Sequence, residues 1–137
     1  MASTLDKTLQ VVVTQIPECV AGGYVDMSTG MLLGVKTVDS HPQEVLDLVS
    51  AATADLFQGA NVSAIEAMFK RSRGIKSNDD AHYFQEIVVF SENLLHMFVR
   101  CKKNSNHVVA FVCRKSANVG MVIAKSRIAV PTLEASL

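Results

Sequence analysis

The sequence lacks the marks of several large protein classes. Its three cysteines, Cys19, Cys101 and Cys113, are odd in number and show no C-x-x-C spacing. That argues against a disulfide framework or a zinc knuckle and for a reducing, cytoplasmic setting. No apolar run approaches the roughly 18 to 20 residues that cross a bilayer. The first ten residues carry Asp6 and Lys7 in place of an uninterrupted apolar stretch, so neither secretion nor a membrane partner is expected. Charge of one sign is also missing: 13 Lys plus Arg balance 13 Asp plus Glu, for a formal net charge of +0. A nucleic-acid binder working by bulk phosphate attraction would be basic, so no nucleic-acid partner is expected. No G-x-x-x-x-G-K-[ST] stretch exists, which excludes nucleotide binding through a P-loop. The four histidines, His41, His82, His96 and His107, show no H-x-x-x-H or H-E-x-x-H spacing. Only His82, with Asp79 and Asp80 nearby, offers a loop metal site against the alternative of a solvated loop, and no metal or cofactor is expected.

What is present is apolar. Hydrophobic residues make up 49% of the 137 and charged residues 19%, a balance that excludes disorder and points to a buried partner surface. Leu5, Leu9, Val12, Val13 and Ile16 recur at helical spacing behind Ser3 and Thr4, and Pro17 follows, which predicts a helix over about Ser3–Ile16. The β-branched run Val11-Val12-Val13 is the one conflict, since it also suits a strand. Residues 22–27 and 31–36 flank Ser28-Thr29-Gly30 and read as a hairpin. Ser40 and Gln43 have capping-box spacing, with Pro42 in the first turn. Val45, Leu48, Val49, Ala52 and Leu56 then trace a helical stripe, continued by Ile65, Met68 and Phe69. Gly59 and Asn61 interrupt it, leaving open one long helix or two shorter ones. A polar loop spans Lys70 to Asp80. Three strand-length apolar runs follow, Tyr83–Phe90, Leu94–Cys101 and His107–Cys113, and predict an antiparallel meander. The last two are apolar at nearly every position, so helices should cover both faces of the sheet. Within the third, Val109 and Phe111 should face one side and Val108 and Val112 the other. A final helix should begin at Asn118, bury Val119, Val122, Ile123 and Val130, and end or kink at Pro131.

The order is thus α-β-β-α-β-β-β-α in one domain spanning residues 1–137. At Ile16-Pro17, at Gly22-Gly23 leading into Val25-Asp26, at Gly30 before Leu32-Leu33, and at Ala117-Asn118-Val119-Gly120, the chain resembles the Roadblock family of dynein-light-chain-like domains, in the form found in bacteria and archaea. The resemblance implies an α/β fold of profilin-like type: a five-stranded antiparallel sheet with the long helix on one face and the terminal helices on the other. It implies a homodimer and a scaffold or regulator beside small Ras-like GTPases. It also puts the strand after the long helix at the sheet edge. Phe84, Glu86, Ile87, Val88 and Phe90, with Leu48, Ala52 and Leu56 of the long helix, are then the candidate dimer interface.

Lys70, Arg71, Arg73 and Lys76 form the densest basic cluster, either an anion or acidic-partner patch or a solvated helix end. If Asn104-Ser105 is a two-residue turn, counting back sets His96 opposite Cys113, a pairing able to make a thiolate nucleophile; core packing is the alternative, and no catalytic residue is expected. A non-catalytic adaptor is the first reading of function. The second is a small-molecule sensor, which would need an internal pocket with convergent polar groups.

Overall fold

The computed structural model describes residues 3–38, 43–74, 82 and 84–137, and of residues 43–48 the backbone alone. The cap expected of Ser40, Pro42 and Gln43 lies outside that description. Helix α1 spans Thr4–Gln15. Ser3 caps it reciprocally: its Oγ accepts from the Asp6 amide at 3.1 Å, and the Asp6 carboxylate accepts from the Ser3 amide at 3.4 Å. This capping box, with Leu5, Leu9, Val12 and Val13 buried, decides the Val11–Val13 conflict for helix. Strands β1 (Cys19–Asp26) and β2 (Met31–Thr37) follow, joined by a turn in which Gly30 holds a φ of 73°. β1 starts earlier than the sequence suggests because Cys19 and Ala21 already pair with β5.

The interrupted stripe resolves into two helices, α2 (Gln43–Gln58) and α3 (Ala60–Ser72). Gly59 is the break. A Cβ there would lie 2.7 Å from the Asp55 carbonyl oxygen, closer than any side chain tolerates. β3 (Glu86–Phe90), β4 (Leu94–Arg100), β5 (His107–Arg114) and α4 (Val119–Ala135) complete the chain. The five strands form one antiparallel sheet in the order β2-β1-β5-β4-β3.

Each sheet face carries its own apolar cluster. On one, α1 and α4 cover Tyr24, Leu95, Met97, Val99, Val109 and Phe111. On the other, Phe57 of α2 packs with Val25, Met27, Phe98 and Val108. The alternation expected of β5 holds, with Val109 and Phe111 opposite in face to Val108, but Val112 is only half-buried. Burying a side chain the size of Phe111 contributes about 1.5 to 3 kcal/mol.

Three local expectations are corrected. The segment expected to be loop from Lys70 is helical as far as Ser72, where α3 ends. The third-last run forms a strand only from Glu86; Tyr83 lies outside the described residues, and Phe84 packs against the second cluster from outside the strand. Pro131 does not end α4, which runs on to Ala135. The ring removes a donor to the Arg127 carbonyl at a cost of about 3 kcal/mol. Burial of Val130 and Leu133 on either side offsets it and holds the last turn.

Candidate functional site

β3 ends the strand order, so one of its two backbone edges has no partner strand among the described residues. The ladder tells which groups lie on that edge. Arg100 N donates to the Gln85 carbonyl and Ser91 N to the Leu94 carbonyl, which makes both pairs hydrogen-bonded and brackets β3. With alternation between them, Ile87 and Val89 bond to β4, opposite Phe98 and His96. The amides and carbonyls of Glu86, Val88 and Phe90 therefore point away from the sheet. The segment carries no lysine or proline, the usual blocks to edge pairing.

Its side chains are equally unfinished. Glu86, Ile87 and Val88 are half-buried, Phe90 is 55% exposed, and Phe84 is half-buried. Ile87, Val89 and Phe84 join Ala54 and Phe57 of α2 in one cluster, so the structure brings together β3 and α2. On the helices Ala52 is exposed, with Leu56, Ile65, Met68 and Phe69, of which Met68 is 61% exposed. The Leu48 side chain lies outside the description.

The one carboxylate on the edge is held by its own chain. Arg127 of α4 donates to both Glu86 oxygens, at 2.6 and 2.7 Å. That bond, opposed by partial burial and aided by the guanidinium charge, keeps the Glu86 carboxyl below the usual range. Nothing in the sequence flags Arg127: it sits 41 residues from Glu86, and only the topology sets α4 beside β3.

A second arginine that sequence reasoning missed anchors the site from below. Arg100 is 3% exposed and donates to the carbonyls of Phe84, Ser105 and Phe57 at 2.9, 2.6 and 3.4 Å. It ties the approach to β3, the β4–β5 loop and the end of α2 together. His82 meets α3, with Nδ1 3.5 Å from Glu66 Oε2. Asp79 and Asp80 lie outside the described residues, among which no three His, Cys, Asp or Glu side chains cluster as metal ligands.

Lys70 and Arg71 lie in the last turn of α3, Arg73 is its C-cap residue, and Lys76 is outside the described residues. Arg71 and Arg73 are exposed and Lys70 half-buried. Cations there offset the helix dipole as well as presenting charge.

The His96 and Cys113 pairing is corrected by one residue. His96 opposes Val112, and Leu95 opposes Cys113. The connection occupies residues 102–106, with Cys101 N bonded to the His107 carbonyl, so the counted two-residue turn does not exist. Adjacent residues face opposite sides, which puts His96 and Cys113 on different faces of the sheet. His96 stacks on Phe98 and shares a 3.2 Å hydrogen bond with Ser91; burial holds its imidazole below the ordinary value.

Between α2 and the sheet lies a cavity of about 280 Å³, lined by Gly23, Ala110, Val112, Val35, Val49 and other apolar residues, with Thr37, Thr53 and His96 as its polar side chains. It explains why Val112 is not fully buried.

No family model and no curated protein sequence matches the chain. Solved structures do. A Roadblock/LC7 domain from Streptomyces avermitilis is similar over 95% of this chain and 94% of its own, at 15% identity and a TM-score of 0.61. The chain has the Roadblock fold. The gliding protein MglB from Thermus thermophilus is similar to it over 96% of this chain and 87% of its own, at 18% identity and a TM-score of 0.68. Profilin II from Acanthamoeba castellanii is similar over 97% and 96%, at 13% identity and a TM-score of 0.52, in keeping with a profilin-like sheet. Within the Roadblock fold, the segments that carried the resemblance close α1 at Ile16-Pro17, form β1 and its hairpin, and open α4 at Asn118.

Proposed function

We propose that the chain is a non-catalytic, dimerising adaptor or regulator that acts through protein surfaces, with a small Ras-like GTPase as its partner class. One observation carries the reading: an unblocked strand edge at Glu86, Val88 and Phe90, in a chain whose α2 and α3 also expose large apolar side chains. Left in water, such an edge invites aggregation. Pairing it with its own two-fold copy satisfies the ladder and covers Phe90 and Leu56 in an isologous interface. Leu48, Ala52, Phe84, Ile87 and Val88 belong to the same interface on this reading, which also takes residues 1–137 as one cytoplasmic domain with no nucleic-acid or membrane partner. Among the described residues no helix is long and apolar enough to cross a membrane. The Roadblock fold supports the GTPase assignment, and Lys70 with the exposed Arg71 and Arg73 offers positive charge to an acidic partner, the patch to which Lys76 is assigned on this reading. Sedimentation equilibrium of the full chain tests the dimer, and calorimetric titration with a purified Ras-like GTPase from the same genome tests the partner. A monomer at every concentration rejects the first, and no heat with such GTPases rejects the second.

The sensor reading keeps one support, the 280 Å³ cavity under α2. Its lining is nearly all apolar, and the Thr53 hydroxyl already donates to the Val49 carbonyl at 2.8 Å. A sensor of polar metabolites needs converging polar groups, so the adaptor reading stands first.

A further inference from the structure

Cys19 and Cys113 oppose each other across β1 and β5. The ladder around them fixes what kind of pair they make. Arg114 N donates to the Glu18 carbonyl at 3.0 Å, so Glu18 and Arg114 occupy a hydrogen-bonded position. Cys19 and Cys113, one residue further along each strand, therefore sit at a non-hydrogen-bonded one. Opposed Cα atoms there lie about 4.5 Å apart with side chains leaning together. That separation falls inside the roughly 4.4 to 6.8 Å range a disulfide spans.

The two sulfurs are not equivalent. Cys19 is half-buried at the margin of the α1 and α4 cluster, whereas Cys113 is fully buried within it. The Cys19 thiol donates to the Ala21 carbonyl at 3.2 Å, and hydrogen bonding with Cys113, outweighing burial, holds Cys19 below the ordinary thiol value. The same hydrogen bonding between the two sulfurs, with burial, pushes Cys113 up. The surrounding backbone is irregular. Glu18 holds a φ of 50°, the left-handed region that disfavours a residue with a Cβ, and a bulge follows between Cys19 and Ala21.

We infer that Cys19 and Cys113 are a reversible dithiol site for hydroperoxides, with Cys19 as the attacking sulfur and Cys113 as the resolving one. In the first step the Cys19 thiol gives up its proton and the thiolate attacks the peroxide; the O–O bond breaks, a sulfenic acid forms, and the departing hydroxide (or alkoxide, from an organic hydroperoxide) takes up that proton as water (or alcohol). In the second, the Cys113 sulfur attacks the Cys19 sulfur, the S–OH bond breaks, and the Cys113 proton leaves with the hydroxide as water. The two thiols lose two electrons and the peroxide gains them. The product staples the start of β1 to the end of β5, in the middle of the sheet, and closes a loop over most of the chain.

Cys101 is the internal control. It is buried at the end of β4, and burial, the largest influence on it, pushes its thiol up to about 11. The test treats the reduced full chain with equimolar hydrogen peroxide, then maps tryptic peptides without reduction. The inference expects the peptide Thr8–Lys36 linked to Asn104–Arg114, a free Cys101, reversal by dithiothreitol, and a melting temperature that rises on oxidation and falls again on reduction. In C113S a sulfenic acid at Cys19 should persist long enough to react with dimedone, and in C19S no disulfide should form. Wild-type mapping needs no variant to fold. Free Cys19 and Cys113 after treatment, oxidation of Cys101 in their place, or a Cys19 linkage between chains would each overturn the inference.

Discussion

The guanidinium of Arg100 lies over the ring of Phe57, 5.1 Å from its centroid, and donates to the carbonyl of the same residue. One side chain thus joins the end of α2 to the strand that carries β3. The same guanidinium holds the Phe84 carbonyl, two residues before β3 begins.

Arg100→Met should therefore do more than empty a buried position. Leaving these carbonyls without their donor costs about 1 to 3 kcal/mol, read as a lower urea midpoint. Because Phe84 loses its anchor, self-association should weaken in parallel. Arg100→Lys should recover only part, since an ammonium cannot reach three carbonyls in a planar fork. A variant with unchanged midpoint and association would show that Arg100 is not the clamp.

Core substitutions should rank by how well each face is covered. Phe111→Ala, under α1 and α4, should cost about 3 to 5 kcal/mol. Val108→Ala should cost less, and Val112→Ala least of all, because Val112 borders the cavity under α2. Denaturation midpoints that reverse this order would contradict the two-cluster description.

Glu86 provides a pH signature. Its carboxyl sits below the ordinary value of 4.5 when folded, chiefly through the hydrogen bond from Arg127. A carboxylate with a depressed folded value stabilises the protein above its unfolded value and loses that contribution as pH falls through the folded one. The melting temperature of the wild type should exceed that of Glu86→Gln at pH 7, and the gap should close as pH falls from the ordinary value of 4.5 through the lower folded one. A gap independent of pH would mean that the ion pair contributes nothing. Salt should narrow it too, since the Arg127 side chain is 60% exposed.

Much of this architecture was legible from residue patterns because local signals agreed with each other. Ser3 and Asp6 announce α1, Asn118 announces α4, and Gly59 marks the break that the structure makes between α2 and α3. Long-range register was not legible. The residues between β4 and β5 gave a turn one residue out of step, and a single step in register carries every side chain to the other face, which is why His96 and Cys113 separate. Pro131 misled for a related reason: local propensity opposes it, and only the burial of Val130 and Leu133 overrides that. Of the site, the run ending at Phe90 was legible as a strand and its edge position came only through the Roadblock resemblance, whereas Arg100 and Arg127 could not be read, since their partners lie far away in sequence. Cys19 and Cys113 likewise meet only once β1 lies against β5.

The central claim is that the outward face of β3 pairs with a second copy, and proline scanning of two adjacent residues tests it most directly. The Val88 amide points off the sheet, whereas the Ile87 amide belongs to the bond with β4. Proline deletes one donor in each case. Sedimentation velocity with circular dichroism on Val88→Pro should find a folded monomer, while Ile87→Pro should lose native structure or melt far below the wild type. A Val88→Pro protein that is folded and still dimeric would contradict the account.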